Sequence, residues 1–234
     1  MAKTVGFLCA LKPEWLDKTA ELVLCGSGNE EIRNELDSYV ACEIQSPDNI
    51  RKTRIALMNL WVHPFEDDYA NQIRELALTA MRNGNSEHMS MHWCMALLKY
   101  DIFSDVAEAI GKITGMQEEF SSLWLRKKIL EKWGGRETVL RSVSMVLQTM
   151  RQMGVINSDN NIHTVNRKKI ADDQTGIILM KTILALKLKP YYEPSELAAV
   201  AQMFPFEYEA SSDIIFGSQA FEFGNFGGSP VIVG

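Results

Sequence analysis

Ser121-Ser122-Leu123-Trp124-Leu125-Arg126-Lys127-Lys128-Ile129-Leu130-Glu131-Lys132-Trp133 is followed by Gly134-Gly135 and then by the run Arg136 to Met153. The first stretch predicts a helix over Leu123 to Trp133, with Ser121 or Ser122 as its cap and the two glycines as its stop. The second predicts a helix that turns Val139, Leu140, Val143, Val146, Leu147 and Met150 inward and ends at Gly154. Val155-Ile156 and Ile162-His163-Thr164-Val165 alternate around Asn157-Ser158-Asp159-Asn160-Asn161, the pattern of a short hairpin. Upstream, Phe103, Val106, Ala107, Ile110 and Ile113 give one more helix, ending near Gly115. Helix, helix, short turn, helix and hairpin is the order of a winged helix-turn-helix.

Charge singles out the same stretch. The whole chain of 234 residues carries a net charge of −6. Between residues 121 and 170, Arg126, Lys127, Lys128, Lys132, Arg136, Arg141, Arg151, Arg167, Lys168 and Lys169 face only Glu131, Glu137 and Asp159, a net of +7. A cationic island in an acidic chain is the footprint of polyanion binding, because each neutralised phosphate releases condensed counterions. The start of the helix at Arg136 would present Arg136, Thr138, Arg141 and Ser142, at the end that a recognition helix inserts into the major groove. Arginine reaches guanine edges bidentately, and serine or threonine reaches phosphates. Arg126, Lys127, Lys128 and Lys132 would supply affinity without sequence preference, and Arg167-Lys168-Lys169 sit where a wing could touch the backbone or simply link two units.

The rest of the chain also predicts helices, as far as about residue 190. They run from Glu14 to Leu24, from Gly28 or Asn29 to about Ile44, from Ser46-Pro47 to Trp61, from Asp67 or Asp68 to about Met81, and from Ser86 to Tyr100. The last is apolar on almost every side, as in the centre of a bundle. A further helix covers Gly176 to Leu188. The overall expectation is a mainly α chain: a helical bundle over 1–100, a winged helix-turn-helix over 101–170, and a C-terminal helix with a β-rich tail over 171–234. Phe204-Pro205-Phe206 and Ile214-Ile215-Phe216 suggest short strands, and Phe221 to Gly234 is Gly-rich with Phe223, Phe226 and Val231-Ile232-Val233, β-structure being confined to this C-terminal end and the 155–165 hairpin. The Gly- and Phe-rich tail could pair with a partner as an edge strand, though packing on its own domain is the stronger reading.

Composition excludes several classes. Hydrophobic residues make up 46% of the chain, enough to drive folding, and no apolar run is long enough to span a membrane. Lys12-Pro13 stands where a leader would carry small residues, so a cytoplasmic protein is expected, with its four cysteines reduced and mostly buried. His88 and His92 lie four apart with Glu87 and Cys94 nearby, but no HExxH accompanies them, and packing is the better reading. Glu66, Asp67 and Asp68 suit a helix N-terminus without a cation. Gly26-Ser27-Gly28 lacks the Lys-Ser/Thr of a phosphate loop, and no GxSxG elbow occurs. No cofactor is expected, and no enzyme.

Leu97-Leu98-Lys99-Tyr100-Asp101-Ile102-Phe103-Ser104-Asp105-Val106, then Trp124-Leu125-Arg126, then Thr138 to Ile156 ending Met153-Gly154-Val155-Ile156, resembles the BrxA family, small accessory proteins of BREX bacteriophage-defence systems. Asn49-Ile50-Arg51-Lys52-Thr53-Arg54 before an apolar helix is similar to that family's N-terminal pattern. The likeness spans roughly residues 30 to 160 and consists of hydrophobic spacings rather than signature residues; the Phe- and Gly-rich tail departs from it. It implies a non-catalytic protein that binds double-stranded DNA beside larger defence-system proteins. The other class left open is an assembly adaptor that docks on a larger complex without touching nucleic acid.

Overall fold

The computed structural model describes residues 6–84, 87–209, 212–217 and 220–233. The chain is mainly helical. Pro13–Leu24 (α1), Asn29–Ala41 (α2), Pro47–Trp61 (α3), Asp68–Arg82 (α4) and His88–Lys99 (α5) form the first half. Gly28 is the N-cap of α2, and that helix stops at Ala41, about one turn before Ile44. Ser46 occupies the N-cap position of α3, but its hydroxyl makes no capping bond; Pro47 at the first helical position starts the helix instead. Asp67 does cap α4, accepting from the Tyr69 N–H. The expected start of α5 at Ser86, like Asn85, lies outside the described residues; Glu87 is the N-cap.

Asp101–Thr114 (α6) follows α5 after the single extended residue Tyr100. Then come Glu119–Ser121 (β1), Ser122–Trp133 (α7), Glu137–Gln152 (α8), Ile156–Asp159 (β2), Ile162–Val165 (β3), Lys168–Lys169 (β4) and Asp173–Ala185 (α9). The end of the chain holds Tyr191–Tyr192 (β5), Pro194–Ala198 (α10), a 3-10 turn at Ala201–Met203, Phe206–Glu207 (β6), Ser212–Gly217 (α11), Phe223–Phe226 (β7) and Ser229–Val233 (β8).

Eight residues of α5, Ser90 to Leu97, are buried without a break. The helix is central, touching α1, α3, α4, α6 and α9. Trp93 fixes the C-terminal segment onto it: its ring meets Phe103, Phe204 and Phe206 edge-on, and its indole N–H donates to the Gln202 carbonyl at 3.1 Å. That segment also lies on α6, where Gly111 lets it approach. A Cβ at Gly111 would stand 1.9 Å from the Ala201 carbonyl oxygen.

The strands correct three expectations. β-structure is not confined to the hairpin and the end, because β1 adds a third strand beside β3, in the order β1-β3-β2, and β4 pairs in parallel with β6. Three residues with one buried apolar side chain, Phe120, carry no periodicity that a sequence pattern could report. Residues 212–217 are helical rather than extended, and only Phe206 of Phe204-Pro205-Phe206 enters a strand. β8, in contrast, lies between β5 and β7, so the Val231-Ile232-Val233 tail packs on its own chain. The cysteines carry no disulfide, but only Cys94 is buried; Cys25 and Cys42 are exposed and Cys9 is intermediate, because helix ends rather than core positions hold Cys25 and Cys42. Among the described residues no helix is long and apolar enough to cross a membrane.

Candidate nucleic-acid interface

The unit from α6 to β3 is shaped by a few local devices. Ser121 caps α7 by accepting from the Trp124 N–H at 3.1 Å. Gly134 ends that helix at φ +78°, its N–H on the Leu130 carbonyl, and only Gly135 and Arg136 separate it from α8. A residue with a side chain would be strained there, which is why glycine closes so short a turn. The β2–β3 hairpin turns through Asn160 and Asn161, both at positive φ, with Asp159 opposite Ile162. Asparagine tolerates that conformation, and two such residues match the twist of the strands.

His163 fastens the hairpin to α7. Its Nε2 lies 2.6 Å from the Ser122 hydroxyl, its Nδ1 2.6 Å from the Ser158 hydroxyl, and its ring rests on Phe120. Burial, and after it the Arg151 charge, pushes the imidazole below its ordinary range, so it is neutral at physiological pH.

α8 buries Val139, Ser142, Val143, Val146, Leu147, Thr149 and Met150. Ser142 is therefore corrected out of the exposed surface: it is 0% exposed, and its hydroxyl has no partner among the described residues. It stands about 100° round the helix from Arg141, on the side shared with Thr149. The open side carries Arg141, Ser144, Gln148 and Arg151, spaced three or four residues apart, with Thr138 exposed near its start and Arg136 at the N-cap. Ser144, Gln148 and Arg151 were missed among the contact candidates, although the period counted onward from Arg141 points to all three. Arg126 of α7 joins this stripe by donating to the Ser144 hydroxyl at 3.2 Å.

The other candidates divide. Lys127 and Lys128 are exposed on α7, Lys128 in a solvent-facing pair with Glu131. Lys132 turns away from the stripe to α6, bonding Asp105 at 2.7 Å and Glu108 at 3.5 Å. Arg167 lies just after the β2–β3 hairpin. Its guanidinium donates to the Phe204 and Thr114 carbonyls and lies 3.9 Å from Glu207, while Lys168-Lys169 form the parallel ladder with β6. These partners lie 37 to 53 residues away in sequence, and they hold the run against the end of α6 and the C-terminal segment.

One further constellation has defined chemistry. The Nδ1 of buried His92 accepts from the Trp61 indole N–H at 3.2 Å, which leaves the ring proton on Nε2, 3.1 Å from Asp17 Oδ1. With one nitrogen accepting and the other donating, His92 keeps no lone pair for a metal without becoming an imidazolate. His88 Nδ1 lies 2.8 Å from the same Asp17 oxygen. Among the described residues no group of three or more His, Cys, Asp or Glu could hold a metal ion.

Comparison with protein-family models, curated proteins and solved structures finds no match to this chain.

Proposed function

We propose that the chain is a non-catalytic DNA-binding accessory protein in which α6, α7, α8 and the β1-β3-β2 sheet act as a winged helix, with α8 as the recognition helix. The observation that carries this reading is the open stripe Arg141–Ser144–Gln148–Arg151, joined by Arg126, on the one segment with a strong cationic excess. A helix offering arginine and carboxamide side chains along one face can read base edges in the major groove, while Arg126, Lys127 and Lys128 meet phosphates. The hairpin turn carries Asn160 and Asn161 beside the anionic Asp159, so the wing adds polar contacts and no positive charge. A place beside larger bacteriophage-defence proteins rests on the BrxA resemblance.

Fluorescence anisotropy of a labelled random-sequence duplex, titrated between about 50 and 200 mM salt, tests this reading. The three exposed cations Arg126, Lys127 and Lys128 on phosphates give a slope of log K against log salt of about −2.7. No binding at the lowest salt would favour the adaptor reading. Phe226 is 59% and Phe223 40% exposed on the sheet edge formed by β7, an apolar margin that suits a protein partner.

A further inference from the structure

A cleft of about 320 Å³ lies between α8 and the segment that precedes α1, beside the stripe assigned above. Its two charged residues cancel. Lys12 pairs with Glu43, whose other oxygen accepts from the Trp15 indole N–H at 3.0 Å. The bond from Lys12 holds the Glu43 carboxyl below its usual range, so the ion pair persists at neutral pH. The cleft is therefore no place for a phosphate.

Besides the Cys9 thiol and the buried Thr53 hydroxyl, the remaining polar lining is a set of three carboxamides, Asn49, Gln148 and Gln152. None of them hydrogen-bonds to another described residue, and Gln152 Oε1 is buried without a donor. An amide offers an N–H donor and a carbonyl acceptor side by side, the arrangement by which Asn and Gln pair bidentately with adenine. Leu8, which is 46% exposed, and the half-buried Ile44 and Met145 supply apolar walls for a planar ring. The volume stands at the lower end of the range for ligand pockets, about 300–1,000 Å³, and suits one ring system rather than a peptide.

The geometry points to a nucleobase site in this cleft. Gln148 belongs both to the cleft and to the α8 stripe, so a base extruded from bound DNA would meet the same amides as a free nucleoside. The first source rests on the DNA-binding reading; the second does not. Extrusion costs least for a base that is already unpaired, so a duplex with one extrahelical adenine is the DNA-borne probe.

Two arms test the site on the full chain: calorimetric titration with adenosine, and anisotropy with a fully paired duplex against one carrying the extrahelical adenine. The expected result is binding of adenosine, or a preference of at least about tenfold for the extrahelical duplex. Either effect should vanish in the double variant Asn49→Leu, Gln152→Leu, with binding of the paired duplex unchanged. That variant should fold, because Asn49 is exposed and replacing a buried unpaired acceptor by an apolar group is neutral or stabilising; a thermal melt checks it. Absence of both effects, or an effect that survives the double variant, overturns the site. If neither duplex binds, the DNA reading fails, and the adenosine arm alone decides the cleft.

Discussion

The backbone N–H of Leu11 donates to the Thr149 hydroxyl at 2.9 Å, across 138 positions of sequence. The bond is buried, and it pins the segment before α1 against one side of α8. Thr149 also donates to the Met145 carbonyl, so a single hydroxyl completes its helix and receives the incoming chain. This contact divides α8 lengthwise into a covered side and the open stripe.

Thr149→Val keeps the shape and removes the acceptor, leaving the Leu11 N–H buried and unpaired. The expected loss of stability is about 1–3 kcal/mol, read from urea denaturation with an unchanged slope. A loss under about 0.5 kcal/mol would show that water or a backbone shift replaces the hydroxyl.

Local chemistry made most of the helical frame legible. Asp67, Ser121 and Gly134 each mark a boundary through a bond or dihedral to residues no more than four away, and the structure places caps and stops there. Ser142 failed as a surface residue because proximity in sequence was weighed above the 3.6-residue period that sets it beside Thr149. The ion pairs and hydrogen bonds of Lys132 and Arg167 were not legible for a different reason. Their partners, Asp105, Thr114 and Phe204, are brought up by packing between separate elements, and no spacing along the chain announces that. β1 was invisible on the same ground, since it exists only through its pairing with β3.

Two buried imidazoles predict an acid-sensitive fold. Burial holds His92 below its ordinary pKa of 6.5 against the opposing pull of Asp17, and burial with Arg151 lowers His163 likewise. A lowered folded-state pKa means that near pH 6.5 and below the unfolded chain takes up protons that the folded chain refuses. The contribution is complete above about pH 6.5 and is lost as pH falls from there through the folded values. Asp17 acts lower still. Burial is its largest influence and pushes it up, but the bonds to His92 and His88 outweigh it and keep it below 3.8, so its contribution fades only below that pH. Urea midpoints should fall between pH 7 and 5, with a shallower fall in His163→Gln. A flat profile would contradict the neutral assignment.

Asp105 joins α6 to α7 through two bonds, from Lys132 at 2.7 Å and from the Trp133 indole N–H at 2.7 Å, with its side chain only 11% exposed. Asp105→Ala should destabilise the fold by about 1–3 kcal/mol, because the Trp133 indole N–H loses this acceptor and Lys132 loses the nearer of its two carboxylates. It should also loosen Lys132, which then keeps only its 3.5 Å pair with Glu108. On the DNA-binding reading the salt slope then steepens by up to about 0.9, one more phosphate contact. Denaturation and anisotropy on the same variant separate the two effects, and an unchanged slope would show that Lys132 cannot reach the duplex.

The sharpest prediction concerns the open side of α8. Arg141 and Arg151 are exposed, and the ion pair of Arg141 with Glu137 at 3.8 Å faces solvent at both ends. Such a pair is worth about 0–1 kcal/mol, so replacing both arginines by alanine should change stability by less than about 1 kcal/mol. DNA affinity should fall by roughly 1–3 kcal/mol for each arginine that holds a base edge. For one that holds only a phosphate, the salt slope should instead become shallower by about 0.9. Val143→Asp is the contrasting variant: Val143 is 0% exposed, and a carboxylate there would be buried without a partner and should unfold the unit. Titrations across several salt concentrations, with melts alongside, distinguish a lost contact from a lost fold. A folded double variant that binds the duplex as tightly as the parent chain, with the same salt slope, would remove α8 from the interface and shift the reading to the adaptor.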